Sequence, residues 1–235
     1  MNHFFDTHFH LDLQKERNAA IKEIEDNSIY TIAVTNLPDL YRRERFEIAS
    51  KYIRFALGFH PELIGKYKGQ MQLMWNLLPT AKYIGEVGLD FSDTTFQYEQ
   101  EAFFEKLIEK CADDNHKIIT IHSRRAASKV IDIVGTGFKF KPILHWFTGN
   151  KSELVTAINA GFYFSVNTAM MRSVKFLKLL PLIPSDKILL ETDSPFIFYN
   201  GSHTEMLNTT INLLKEKRSD VDAWDNFKNI LIYTK

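Results

Sequence analysis

The chain has one cysteine, no excess charge of either sign and no long apolar run, and each absence excludes something. Cys111 alone cannot close an internal disulfide, which suits a reducing compartment. It lies on the apolar face of a helical segment and reads as a core residue rather than a nucleophile. No apolar stretch approaches the roughly 18 residues of a membrane span, so no membrane partner is expected. The start, Met1-Asn2-His3, lacks the basic and apolar regions of a signal peptide, and a cytoplasmic protein is expected. Lysine plus arginine equal aspartate plus glutamate, 29 each, so any contact with nucleic acid must come from a local patch. Low-complexity segments, strict repeats and linker-like stretches are also missing. The 235 residues, 45% hydrophobic and 25% charged, are therefore expected to form one globular domain over residues 1–235, large enough to bury a core without staples.

What is present is an alternation. Strand-like segments are His3–Phe5, Ile29–Thr35, Arg54–Leu57, Tyr83–Val87, Ile118–Ile121, Pro142–His145, Phe162–Val166 and Ile188–Glu191. The stretches between them are long enough for helices. Gln97 to Cys111 is the clearest, with Phe103, Phe104, Leu107, Ile108 and Cys111 at steps of three and four. The tail from about His203 reads mostly as helix on the spacing of Leu207, Ile211 and Leu214. Strand alternating with helix implies right-handed crossovers and a parallel sheet. Eight such units predict a (β/α)8 TIM barrel.

A barrel carries its chemistry at the C-terminal ends of its strands. His8 and His10 follow the first segment, His60 the third, and Glu86 ends the fourth. His122 ends the fifth, His145 the sixth, and Asp193 follows the eighth. Five of the eight histidines thus fall at strand ends. In the stretch DTHFH, residues 6–10, Asp6, His8 and His10 alternate and share one strand face. Neutral imidazoles and carboxylates bind Zn²⁺, Mn²⁺ and similar ions, and one glutamate can bridge two cations. Two ions about 4 Å apart can acidify a water and stabilise the leaving oxygen of a phosphate. An aspartate beside them can orient that water or take its proton. Asp6, one step deeper, either supports the two histidines from behind or is a buried, hydrogen-bonded carboxylate.

The segments DTHFHLD, GFHP, GEVGLD, IHSRRA, ILHWFTG and LLETDSP, in that order, closely resemble the TatD family of metal-dependent deoxyribonucleases. The resemblance runs from about residue 4 to 196. It implies a (β/α)8 barrel of the amidohydrolase type and two divalent metal ions, Mg²⁺, Mn²⁺ or Zn²⁺. The implied ligands are His8, His10, Glu86, His122, His145 and Asp193. Glu86 would bridge, His8, His10 and Asp193 would serve one ion, and His122 and His145 the other. Asp193 would also position or deprotonate the attacking water. The phrases IHSRRAA, LHWFTG and FSVNTAM look closer still to one branch, the TatD-like component (QatD) of the Qat anti-phage defence gene clusters, which implies other defence proteins as partners. Two departures from the family stand out. Residues 197–235 are short and lack the usual asparagine-proline element, and the segment from Asp90 to Gln100 is brief, which would open the pocket.

Other residues complete the expected site. His60 is taken as a phosphate or water contact. Arg124 can clamp a phosphate in bidentate fashion, or form a salt bridge at a helix start. Arg125 is expected to face solvent. Phe91 is the expected base-stacking residue, whereas strand alternation turns Trp146 towards the core. Glu191 is expected to support the site from one step below Asp193. Asp90 fixes its loop or touches the site. Arg42, Arg43 and Arg45 read as a solvated helix face, and His3, His116 and His203 are given no role.

The leading function is a metal-dependent nuclease on single-stranded DNA, trimming from the 3′ end. One alternative is a metallohydrolase on another substrate, such as a D-aminoacyl-tRNA deacylase, because fold does not settle substrate. Another is a weakly active, partner-dependent subunit of a defence complex.

Overall fold

A computed structural model describes residues 4–232. Eight parallel strands follow one another around a barrel: β1 (Phe5–Phe9), β2 (Tyr30–Val34), β3 (Ile53–Ala56), β4 (Tyr83–Gly88), β5 (Ile118–His122), β6 (Lys141–Leu144), β7 (Tyr163–Val166) and β8 (Ile188–Leu190). Seven lie within one residue of their predicted ends. The first does not. It was expected to stop at Phe5, and instead runs on to Phe9, so His8 lies inside the strand and only His10 beyond it. The predicted start at His3 lies outside the described residues. The correction has a physical reason. The alternation of Asp6, His8 and His10 is that of a strand face, and Asp6, Thr7 and His8 are fully buried between the neighbouring strands and so stay extended.

Strands β1–β3 and β4–β8 form two ladders. Between β3 and β4 the Leu57–Ile84 bridge joins them. At the other seam the Asp193 N–H donates to the His8 carbonyl at 2.9 Å and the His10 N–H to the Ser194 carbonyl at 3.1 Å. The ring is thereby closed, and the residues after β8 are held directly against β1. Gly58 makes the first seam possible. A Cβ there would fall 1.6 Å from the Thr35 carbonyl oxygen and 2.7 Å from the Glu86 nitrogen, so any side chain would push β4 and its Glu86 away.

The core fills the barrel and the layer beneath its helices. The helix Gln97–Cys111 has its predicted bounds and buries Phe103, Phe104, Leu107 and Cys111 against the sheet. The tail is two helices, His203–Lys217 and Ala223–Ile232. Between them Arg218 pairs with Asp220 and donates to the Leu180 and Ile183 carbonyls, which pins the turn. Phe5 stacks on Phe227 and Phe9 on His203. These residues of β1 therefore face the helices, which leaves His8 the inward side, while Asp6 reaches Thr192 and His203. Among the described residues no helix is long and apolar enough to cross a membrane.

Candidate functional site

At the C-terminal mouth of the barrel lies a cavity of about 440 Å³, with His10, His60, Glu86, His122, Arg124 and Asp193 in its wall. Its centre is Glu86, whose two oxygens face different groups. Oε2 lies 3.4 Å from His10 Nε2 and 3.7 Å from His8 Nε2. The same two nitrogens lie 3.4 and 3.7 Å from Asp193 Oδ1. Oε1 lies 2.6 Å from His122 Nδ1, 3.1 Å from His145 Nε2 and 3.4 Å from His60 Nε2.

Burial and charge set the protonation of this array. Burial alone would raise the Glu86 carboxyl, but the imidazoles of His60, His122 and His145 outweigh it and hold Glu86 well below the usual carboxylate range. Burial opposes charge on His122, yet Glu86 and Asp90 together raise it to about 10. His145 goes the other way. Burial, then the neighbouring His8 ring 3.9 Å away, push it down to about 4. Glu191 is raised well above its ordinary value by burial and by the charge of Asp193, despite hydrogen bonds from Ser165 and Asn167. Opposed shifts packed into one cleft mark functional sites more often than structural ones.

The donor set fits divalent cations. His8 Nε2, both nitrogens of His10 and His145 Nδ1 are buried with no hydrogen-bond partner, whereas buried polar atoms are normally bonded. Three groups have ligand atoms within 4.8 Å of one another: His8, His10 and Asp193; His60, Glu86 and His122; and His8, His145 and Glu191. Imidazole nitrogens and carboxylate oxygens together suit transition-metal and related divalent ions.

The supporting contacts come from side chains pointing the same way up the barrel. Thr120 Oγ1 meets His8 Nδ1 at 2.7 Å, and Asp90 Oδ2 meets His122 Nε2 at 2.8 Å. Asp90 also accepts from Ser92, so it holds its loop and touches the site at once. Glu191 accepts from the Trp146 and Asn167 N–H groups. Asp6 does not meet the rings of His8 and His10. It accepts from the His8 and Thr192 backbone N–H groups and from His203 Nε2, so it is the buried, hydrogen-bonded carboxylate and ties β1 to β8. His203, given no role from sequence, completes that knot. Thr120 was legible, since it sits two residues before His122 on β5 and alternation puts both on one face.

The structure gathers His8, His10, His60, Glu86, His122, His145 and Asp193. Arg124 reaches the rim and is exposed, like Arg125. Arg42 and Arg43 are exposed on their helix, as expected, with Arg42 paired to Asp39. Phe91, the expected base-stacking residue, packs partly buried against the core beside the residues that line the cavity, and its N–H donates to the Arg124 carbonyl. Trp146, expected in the core, packs against it partly buried and also lines the cavity. The reason is backbone sign. Trp146 has φ +37°, a left-handed conformation uncommon outside glycine, and it ends the alternation that would have turned the ring away. Asp193 is also left-handed, at φ +51°. Phe196, not singled out from sequence, lines the same cavity.

Three comparisons bear on this site. The sequence model of a family described as TatD related DNase matches residues 5–220. A 3′-5′ ssDNA/RNA exonuclease TatD of Escherichia fergusonii is 32% identical over 176 residues, 71% of this chain and 67% of its own. The corresponding exonuclease of Erwinia billingiae is 27% identical over 195 residues, 78% of this chain and 74% of its own. An uncharacterized metal-dependent hydrolase of Methanocaldococcus jannaschii is 27% identical over 203 residues, 83% and 79% of the two chains. Among solved structures, a TatD homologue from Escherichia coli superposes with a TM-score of 0.79 at 20% identity, covering 98% of this chain and 96% of that one. The two share the barrel fold.

Proposed function

Since the chain belongs to the TatD-related DNase family, whose relatives include named metal-dependent hydrolases and exonucleases, we propose that it is a metal-dependent nuclease that removes nucleotides from the 3′ end of single-stranded DNA or RNA. One observation carries the two-metal form of this proposal. Glu86 presents one oxygen to His8, His10 and Asp193's side and the other to His122 and His145. A single carboxylate so placed can bridge two ions. His8, His10 and Asp193 would hold one, and His122 and His145 the other. Two divalent ions, Mg²⁺, Mn²⁺ or Zn²⁺, lower the pKa of a water and offset charge on the phosphate.

The chain's own groups do the rest. Asp193 Oδ1, beside His8 and His10, takes the proton of the attacking water. His60 and the exposed Arg124 hold the phosphate at the mouth, the guanidinium through paired hydrogen bonds. Asp90 fixes the His122 ring and Thr120 the His8 ring. The phrases shared with the QatD branch add a setting, phage defence beside other proteins of such a cluster.

Purified protein with defined metals and end-labelled single-stranded DNA tests the reading. A ladder shortening from the 3′ end is expected, stopping with chelator and returning on metal addition. Activity that survives exhaustive metal removal would sink the proposal. Thr120→Val is expected to weaken metal binding by roughly 10- to 100-fold, the usual cost of losing a group that orients a ligand. Calorimetric titration checks it, and unchanged affinity would remove Thr120 from the site.

A further inference from the structure

Most large apolar side chains of this protein are buried, but Phe196 and Phe198 are 60% and 92% exposed. Single exposed rings are ordinary, and Phe46 and Tyr98 are examples on helices. The pair at 196 and 198 differs in its position. Phe196 lines the catalytic cavity, its ring standing edge-on 5.0 Å from that of His10. The segment from Ser194 to Ser202 then forms the wall between that cavity and a second groove of about 430 Å³. Lys15, Ile197, Phe198 and Tyr199 face this groove.

The segment lacks regular structure but is tied down along its length. Gln14 donates to the Ser194 carbonyl at 3.0 Å. The Phe196 N–H donates to the Asp193 carbonyl at 2.9 Å. The Tyr199 hydroxyl meets Thr209 Oγ1 at 2.8 Å. Ser202 caps the helix His203–Lys217, with Glu205 reciprocating. Two rings are therefore displayed to solvent on an anchored frame, which lowers the ordering cost of stacking something against them.

We propose that Phe196 and Phe198 form a base-stacking path that leads single-stranded nucleic acid out of the catalytic cavity, Phe196 at the lip and Phe198 in the adjoining groove. The inference rests on the nuclease reading above and adds where the nucleotides upstream of the reacting phosphate sit. Three features point to this occupant. The groove adjoins the cavity, because one loop lines both, Phe196 on one side and Ile197 and Phe198 on the other. Aromatic faces accept every base, since every base has a π face. Exposed Lys15 in the groove and Arg124 on the cavity wall can meet phosphates, among the carboxylates of Glu16 and Glu23 that also line the groove. A duplex keeps its bases paired and stacked on one another, so this surface selects single strands. Phe198 is the better probe, because it lies outside the cavity and its exposure means that its loss leaves the fold alone.

The test compares wild type, Phe198→Ala and Phe198→Trp. Binding of a labelled oligothymidylate is measured by anisotropy with chelator present, beside metal-dependent hydrolysis of bis(p-nitrophenyl) phosphate, which is too small to reach the groove. Phe198→Ala is expected to raise the Kd roughly 5- to 100-fold, Phe198→Trp to restore it, and small-diester hydrolysis to stay unchanged. Oligonucleotides abasic at the second and third positions from the 3′ end should lose affinity for wild type and lose little more in Phe198→Ala. An unchanged Kd in Phe198→Ala overturns the inference, as do equal abasic losses in both proteins. So does sedimentation showing that Phe198→Ala only separates a dimer while the Kd holds. If wild type hydrolyses the small diester but neither binds nor cuts the oligonucleotide, the nuclease reading itself fails.

Discussion

Glu86→Ala is expected to lower metal-dependent hydrolysis by on the order of 10³-fold or more, because it removes the one group that addresses both halves of the site. Its carboxylate stands 2.6 to 3.7 Å from five imidazoles. Without it His8 and His10 keep Asp193, and His122 keeps Asp90, but His10 and His122 no longer face a common carboxylate, and the stacked rings of His8 and His145 are left as the contact between the two groups. The fold should survive. The side chain borders an open cavity, so its loss leaves space for water rather than a dry void, and the stability change should stay within about 1–2 kcal/mol. Metal stoichiometry, circular dichroism and the rate on end-labelled DNA are measured together. A folded variant with full activity would remove the bridging assignment. The same variant introduced into infected cells tests the defence setting, since protection that persists without hydrolysis would separate the two.

Asp193→Asn is expected to cost roughly 10²- to 10⁴-fold in kcat at saturating metal, the usual range for loss of a positioned proton acceptor. Asparagine is the informative replacement. Asp193 sits at φ +51°, and asparagine is one of the few side chains that enters this region at small cost. The N–H to the His8 carbonyl, which closes the barrel, is then kept, while the amide can no longer accept the proton. Metal titration separates two roles. A rate that returns to wild type once metal is raised would make Asp193 a ligand alone. A rate that stays low with both sites filled supports its place beside the attacking water.

Much of the barrel was legible because its signals are local. Strand and helix periods repeat within about ten residues, and seven strands fell within one residue of expectation. The segment Gln97–Cys111 announced itself by its apolar stripe. The alternation of Asp6, His8 and His10 already read as one strand face, and the ring around Asp6, Thr7 and His8 buries them completely and carries the first strand on to Phe9. Nor does local sequence state the sign of φ at Trp146. That sign goes with a Trp146 ring that lines the cavity while it packs partly buried against the core.

The order of the eight strands, and the placing of histidines and acids at their ends, follow from the sequence by itself, because alternation and spacing are properties of neighbouring residues. Contacts across the ring belong to the tertiary structure. Asp6 and His203 are 197 residues apart and 2.8 Å in contact. Thr120 meets His8 across 112 residues. Glu86 turns one oxygen to each histidine group only because Gly58 lets β3 and β4 close together. Such pairings depend on barrel closure, a constraint on the whole chain that no stretch of it carries alone.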